Sequence, residues 1–371
     1  QMGISIVMAD VEIRSSVNHE TFLTAARHKM NILLQKPAIF NAKHYMTICI
    51  ESQNLDVFLL REHGNLIFDA ISDFSDGHKE PYALFIPVIY SMNWEIADMS
   101  LYMNVNKGNI INNPTSVDEN TFIKFVAPTA TAKTCNPRIE ITSPFVNSFL
   151  DFEIPSLSAE LNAPNWHTLN AFLDTNKLAH VNDFLLSFKS FESNGSISNR
   201  NVIDVLGTDL QLLAHGATIA YFYRIIENYF GEFRSFQTTA EFNQQDWELA
   251  PPASDFSRQT NEDDVLLNIK VRETAWRIPV KMYSTKDAIV LESSEINIDT
   301  RFTNYYMDLQ AYVAPISVSY SCNGSSDTKV DTHLLRIMGI DVHAHRMFGL
   351  PPLEPTYAVQ WTFDIGKIVG R

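Results

Sequence analysis

The sequence has few of the residues on which several classes of protein depend. Its 371 residues include three cysteines, Cys49, Cys135 and Cys322, which are too sparse for a disulfide framework and have no metal-type spacing. Lysine and arginine number 28 against 43 Asp and Glu, which gives a net charge of −15, and neither end carries a basic arm. This balance argues against a surface built to grip nucleic-acid phosphates, so we expect RNA to bind only weakly.

Long apolar runs and catalytic motifs are also lacking. No stretch approaches the ~18 uncharged apolar residues of a membrane-spanning helix, and the N-terminus has no signal-peptide pattern, so we expect no membrane partner. Gly-x-Ser-x-Gly, the phosphate-binding Gly-x-x-x-x-Gly-Lys-Ser/Thr and Gly-x-Gly-x-x-Gly are absent from a chain with only 13 glycines. We therefore expect neither enzymatic activity, nor catalytic residues, nor a cofactor.

What the sequence does contain is period-2 alternation of apolar and polar residues. It is clear at residues 99–105, 265–272, 316–321 and 359–366, and it is typical of half-buried β-strands. Residues 4–14 are predicted to form an extended lead-in. Helical spacing is predicted at residues 18–34, and broken short helices at residues 202–236.

The spacing of these strands predicts an all-β protein of two domains. Residues 192–201 are polar and form the best linker candidate, which divides the chain into residues 1–195 and 196–371. Each half has room for a jelly roll of roughly 180 residues. We predict two antiparallel eight-stranded jelly-roll β-sandwiches, with short helices in the loops, the first preceded by the lead-in and the second ending in a C-terminal strand or arm.

Several short motifs add a family resemblance. Residues 331–355 read as a strand that closes on Phe348-Gly349-Leu350-Pro351-Pro352. Upstream lie segments centred on Trp94 and on Tyr229-Phe230-Gly231, and an Ile278-Pro279 pair followed by Tyr283-Ser284. In this order the motifs resemble those of capsid proteins of picorna-like viruses, and the layout is similar to that of the large coat protein of comoviruses.

The resemblance implies a structural role. It suggests the coat protein of a non-enveloped picorna-like RNA virus, which assembles with copies of itself and with further capsid subunits into an icosahedral shell around the genome. Such a protein is found in the virion and, during assembly, in the host cell cytoplasm. The alternative function is a β-sandwich carbohydrate- or receptor-binding module, either a lectin or a viral attachment protein.

Two groups of residues near the C-terminus are candidates for a site. His343 and His345 project from one face of a predicted strand, and with His333, Asp331 and Asp341 they are candidate metal ligands, although no spacing defines a third ligand and we expect no metal. Val359, Trp361, Phe363 and Ile365 form an apolar stripe. We predict that residues 357–368 dock on a neighbouring subunit or across the domain boundary, the alternative being that they are the last strand of the second sandwich.

Overall fold

The computed structural model confirms an all-β protein built as one large mixed sheet of 16 strands. It describes residues 2–14, 20–36, 38–39, 42, 44–63, 66, 88–136, 145–167, 175–193, 200–214, 216–230, 264–281, 284–303, 306–323, 329–347 and 359–370. Two separate eight-stranded jelly rolls are not confirmed, because all 16 strands belong to the same sheet.

The strands are unusually long, and ten of them have 13 residues or more. Their bounds are β1 Met2–Arg14, β2 Thr21–Gln35, β3 His44–Leu59, β4 Val88–Asn104, β5 Phe122–Asn136, β6 Phe145–Asn162, β7 Lys177–Ser193, β8 Arg200–Leu213, β9 Asp264–Lys281, β10 Ser284–Thr303, β11 Tyr306–Val313, β12 Ile316–Asn323, β13 Lys329–Ile337, β14 Ile340–Met347, β15 Val359–Ile365 and β16 Ile368–Gly370. The described helical elements include residues 61–63, a 3-10 turn at Lys107–Asn109, helix α1 at Gly216–Ile225 and a π-helical turn at Ile226–Phe230.

Neighbouring strands in the sheet are mostly neighbours in sequence. The order is β1 to β10, then β11, β14 and β15, and the pairs β3–β4 and β8–β9 are parallel while the others are antiparallel. β7 and β8, which flank the predicted linker, pair with each other from Phe191↔Arg200 onward. The domain division at residues 195 and 196 stays a prediction.

In nearly every long strand, the alternate residues that face one side of the sheet switch from one set of positions to the other at a single point, a phase change. These points are aligned across the strands, and we call the line through them the crease. Six non-glycine residues there have positive φ, between 47° and 56°: Asp10, Asn54, Asp98, Asp183, Asp209 and Glu273. Their neighbours in the ladders show the alignment, since Gln53 pairs with Ala97 and Leu55 with Met99, on either side of Asn54 and Asp98. Asp and Asn tolerate the left-handed conformation better than other non-glycine residues, so their use here follows from backbone sterics.

Elsewhere along the crease, prolines, glycines and strand breaks mark the line. The β5–β6 ladder is interrupted between Val126↔Ser158 and Thr131↔Glu153, where Pro128 and Pro155 cannot donate a backbone hydrogen bond. Gly207 in β8 leaves room for β7, because a Cβ there would lie 2.8 Å from Val181 Cγ2.

At the far end of the sheet, three strands are cut in two at the crease. β11 and β12 are divided at residues 314–315, where the Ala314 amide donates to the Glu295 carbonyl at 2.9 Å. The β13–β14 and β15–β16 breaks face each other, since the Met338 amide donates to the Lys367 carbonyl and the Gly366 amide to the Gly339 carbonyl. The sheet is therefore thirteen strand positions wide, with the crease running across it.

The phase change explains why two helices were predicted where strands lie. In β2 the side chains on one face are Leu23 and Ala25 before the crease and His28 and Met30 after it. This places a three-residue step inside a two-residue pattern, which imitates helical spacing. The helix predicted at residues 18–34 is wrong for this reason, and so is the helical interpretation of residues 202–213, which lie in β8.

The positive-φ positions can be tested at Glu273, whose residue type is the least suited to that conformation. Replacing Glu273 with Asn should raise the free energy of unfolding by about 0.5–1 kcal/mol, because the left-handed conformation costs a non-glycine residue roughly 1–2 kcal/mol and Asn tolerates it better. Urea unfolding followed by circular dichroism measures the change. The matched control is Glu292→Asn in β10, where φ is not positive. An equal or larger gain in the control would contradict the interpretation.

Candidate functional site: an apolar groove

One face of the sheet is apolar across all thirteen strand positions. Residues paired in register share a face. The row next to the crease is formed by Met8, His28, Ser52, Ile96, Ala130, Ile154, Phe184, Gly207, Val271, Ile296, Val313, Ile340 and Ile365. The rows farther from the crease continue it, for example Met30, Ile50 and Trp94 in one row. We call this surface the groove face and the opposite surface the polar face.

The groove face remains on one side through the crease. Ile96, Ala130 and Ile154 lie on one side of the crease, Leu55 and Met99 lie on the other, and all five belong to one buried cluster. Side chains from both halves of the strands therefore pack together, and the crease keeps one face apolar along the full strand length. We call the half that contains Met8 and Ile96 the first wall and the half that contains Leu55 and Met99 the second wall.

In the central strands β4 and β6, burial increases from the outer edge of the first wall toward the crease, which is the profile of a trough. In β4, Tyr90 is 46% exposed and Ile96 only 4%. In β6, Leu150 is 44% exposed and Ile154 only 2%. The crease is therefore the floor of a groove, and the first wall leaves large apolar side chains accessible to solvent.

The C-terminal stripe predicted from the sequence is part of this groove face. Val359, Trp361, Phe363 and Ile365 pair in register with residues of β14, and Ile365 pairs with Ile340 next to the crease. Trp361 and Phe363 stack with ring centroids 5.8 Å apart, and both are more than half exposed. The stripe is thus a strand of this same sheet, and its docking on another chain stays a prediction.

Part of the second wall is covered by helix α1. Tyr221 and Ile225 pack on Ile123, Ala159 and Leu161. The π-helical turn that follows anchors the end of the helix: Tyr229 Oη donates to the Leu59 carbonyl at 2.6 Å and accepts from the Asn104 amide at 2.7 Å, and burial raises the pKa of Tyr229. Of the helices in the described ranges, none is long and apolar enough to cross a bilayer.

The polar face carries charges that bond across the strands. Lys29–Glu51, Lys133–Glu153, Lys189–Asp204 and Lys270–Glu295 lie at 2.7 to 3.0 Å. The most buried of the charged groups is Asp264, which accepts hydrogen bonds from Arg301 and Arg200 at the parallel β8–β9 junction. Burial acts to raise the pKa of Asp264, and the bonds from the two arginines outweigh it and hold that pKa below its usual value. The two faces therefore differ sharply in chemistry.

Of the predicted metal ligands, His343 and His345 lie on the polar face and meet at one carboxylate, whereas His333 lies apart from them. His343 Nε2 and His345 Nδ1 both contact Asp308 Oδ1, at 3.1 and 3.3 Å. His333 lies in β13, ten residues before His343 and beyond the crease, which is roughly 30 Å along an extended chain. Among the described residues no group of three or more His, Cys, Asp or Glu side chains has the arrangement of a metal site.

A polar trio on the groove face escaped the sequence analysis. Trp94 Nε1 donates to Ser52 Oγ at 2.9 Å, and Ser52 Oγ lies 2.8 Å from His28 Nδ1. The three residues come from β4, β3 and β2, so only strand register brings them together. The only local sign in the sequence was that His28 and Ser52 are polar residues in otherwise apolar patterns.

The motifs behind the viral resemblance have other structural settings. Trp94 lies inside β4, the Ile278-Pro279 pair lies inside β9, and Tyr229-Phe230 belongs to the π-helical turn. The Phe348-to-Pro352 run lies outside the described residues. These motifs do not mark jelly-roll strands in the sheet that the structure describes.

Comparison with known proteins identifies relatives over nearly the whole chain. A family model described as the Csf1 N-terminal region matches residues 2–247. Protein CSF1 of Saccharomyces cerevisiae is 30% identical over an alignment that covers 99% of this chain, and Protein CSF1 of Eremothecium gossypii is 26% identical over 96%. The chain spans 14% of the length of each of these relatives.

The relatives correct the functional predictions made from the sequence. Both are cellular yeast proteins, so the interpretation as a picorna-like capsid protein is wrong, together with shell assembly, capsid partners, encapsidated RNA and a virion location. The lectin or attachment alternative has no support from them either. The error arose because alternating strands bounded by polar turns occur in any half-buried sheet. The short motifs of the resemblance do not distinguish one β-protein family from another.

The Asp264 cluster predicts a pH-dependent stability. Because the folded pKa of Asp264 is lowered, its ionised form stabilises the fold above the unfolded value of about 3.9, and that contribution is lost as pH falls through the lower folded value. Asp264→Asn should therefore cost about 1–2 kcal/mol at pH 7 and much less near pH 3. Urea unfolding at both pH values measures this. Asp299→Asn, the same change on the polar face of β10, is the control, and a pH-independent cost at Asp264 would refute the assignment.

Proposed function

We propose that this chain, which belongs to the family of Csf1 N-terminal regions, binds the hydrocarbon chains of lipids along its groove face. The observation that carries the proposal is the continuous apolar surface of the first wall, which spans thirteen strand positions and exposes large side chains from β1 at one edge to β15 at the other. Soluble proteins rarely expose apolar patches larger than a few hundred Å² unless these patches bind something.

The dimensions of the groove suit acyl chains. Twelve spacings of about 4.8 Å between strands give a groove about 58 Å long. The first wall of β1 presents Met2, Ile4, Ile6 and Met8 over about 20 Å. A lipid acyl chain spans half of a ~30 Å bilayer core, or about 15 Å, so one wall can cover it.

The chemistry of the groove face favours hydrocarbon over a polypeptide as occupant. The backbone groups of each inner strand are paired within the sheet, so the face offers an incoming backbone no hydrogen-bonding ladder. Polar side chains on the first wall lie mainly at its outer edge, as at His44, Asn201 and Arg346. A hydrocarbon chain needs only apolar contact, whereas a polypeptide would bury backbone groups without partners.

The proposal assigns a binding role and no chemical reaction. It is consistent with the expectation from the sequence that the chain carries no catalytic motif. Its ligand class is an amphiphile whose acyl chains lie on the first wall. Nothing in this role requires a cofactor.

Leu186 and Leu206 provide a matched test of the binding face. They lie on adjacent strands and are 38% and 37% exposed, but Leu186 is on the groove face and Leu206 on the polar face. Leu186→Glu should weaken binding of a fluorescent phospholipid to the 371-residue chain at least tenfold, because a carboxylate would have to be desolvated beside the acyl chain. Leu206→Glu should leave binding within twofold.

The same experiment can reject the proposal. If the purified chain binds no phospholipid in the fluorescence assay and carries none in native mass spectrometry, the groove is not a lipid site. If the chain instead forms a dimer that Leu186→Glu dissociates, a second polypeptide covers the face. Equal loss of lipid binding in both variants, with unchanged circular dichroism, would also contradict the proposal.

A further inference from the structure

The row of side chains next to the crease is apolar except at one place, and that place is built as a hydrogen-bonding site. His28 and Ser52 pair with each other in this row, between Met8 on β1 and Ile96 on β4. Ser52 is buried and His28 is half-buried. Placing polar groups in an apolar floor costs free energy unless they are hydrogen-bonded, so their partners indicate their role.

The hydrogen bonds of the trio run in one direction. The Trp94 indole N–H is a donor only, so Ser52 Oγ accepts from it at 2.9 Å. Among the described residues Ser52 Oγ has no other acceptor for its hydroxyl hydrogen, so we assign that hydrogen bond to His28 Nδ1, 2.8 Å away. A neutral imidazole that accepts at Nδ1 carries its proton on Nε2.

The chain of donors therefore ends on the His28 Nε2–H group. Within the described part of the chain this nitrogen has no hydrogen-bond partner, and it is not among the buried atoms left without one, so it is accessible from the groove. The trio presents a single oriented donor on an apolar floor. Such a donor fits one acceptor oxygen of a ligand that is otherwise apolar.

We propose that His28, oriented by Ser52 and Trp94, donates a hydrogen bond to an acyl ester carbonyl of a lipid bound in the groove. This inference rests on the proposed function. The ester carbonyl is the acceptor that lies where the hydrocarbon of a lipid begins, and it carries no charge that would have to be desolvated near the floor. His28 would thus set the position of a lipid along a groove that is otherwise uniform.

The test compares lipids that differ only in their two ester carbonyls. Diester phosphatidylcholine and its diether analogue, with equal chain lengths, compete for a fluorescent phospholipid bound to the 371-residue chain. The wild-type chain should prefer the diester about threefold to tenfold, the usual range for one hydrogen bond. Diacylglycerol, which has the same esters without the phosphate, should show the same preference over its diether analogue if the carbonyl is what is recognised.

Variants assign the preference to the trio. His28→Phe should abolish it, and His28→Gln, which restores a side-chain N–H, should recover part of it. Ser52→Ala should reduce it, because His28 loses the acceptor bond that orients its proton. His343→Phe, the same substitution on the polar face, should keep the full preference, and it serves as the control.

The outcomes separate this inference from the function on which it rests. If both lipids bind equally to the wild type, or if His28→Phe keeps the preference, the carbonyl site is refuted although lipid binding stands. If neither lipid binds, the proposed function fails and the inference fails with it. Should His28→Phe not fold by circular dichroism, His28→Gln and Ser52→Ala decide, and an unchanged preference in both would overturn the assignment.

Discussion

The structure depends on a backbone constraint, the phase change at the crease. A regular strand of 13 to 20 residues keeps one parity of side chains on each face, and the apolar residues of this chain switch parity midway. The left-handed residues, with the prolines and strand breaks that continue their line, absorb that switch in register across the sheet. Without them the groove face would be apolar on one wall and polar on the other. The crease thus joins two half-strand patterns into one groove.

The two faces of the sheet differ in their side-chain interactions and in their exposure to solvent. On the polar face, cross-strand pairs such as Lys189–Asp204 and the Asp264 cluster tie neighbouring strands while remaining compatible with water. On the groove face, the described buried clusters lie mainly along the middle of the crease and on the second wall, whereas much of the first wall stays accessible. An accessible apolar wall is a cost to a soluble protein and a benefit to one that binds hydrocarbon. The asymmetry is therefore best explained by a ligand.

The prediction of two sandwiches, which the structure does not confirm, has a physical origin. Alternation shows that each strand has one apolar face, and a packed second sheet is the usual cover for such a face. The alternation at residues 359–365 correctly predicts a strand, but its apolar face was predicted to dock on another subunit or across a domain boundary. In the structure that strand extends the same groove face as Ile340 and Val342 on its neighbour. A period-2 pattern is the same whether the apolar face meets another sheet, a helix or a lipid.

The sequence by itself determined the all-β class, the alternating strands at residues 99–104 and 359–365, and the polar character of one face, because period-2 alternation is a local property of an extended chain. It did not determine that 16 strands form a single sheet. Nor did it place Trp94, Ser52 and His28 together, since these residues come from three strands and meet only through register. The positions of Asp10, Asn54 and Asp98 are single residues in the sequence, and they become a crease only when the ladders align them. Tertiary structure decided these features because hydrogen-bond pairing between distant segments fixes which side chains share a row.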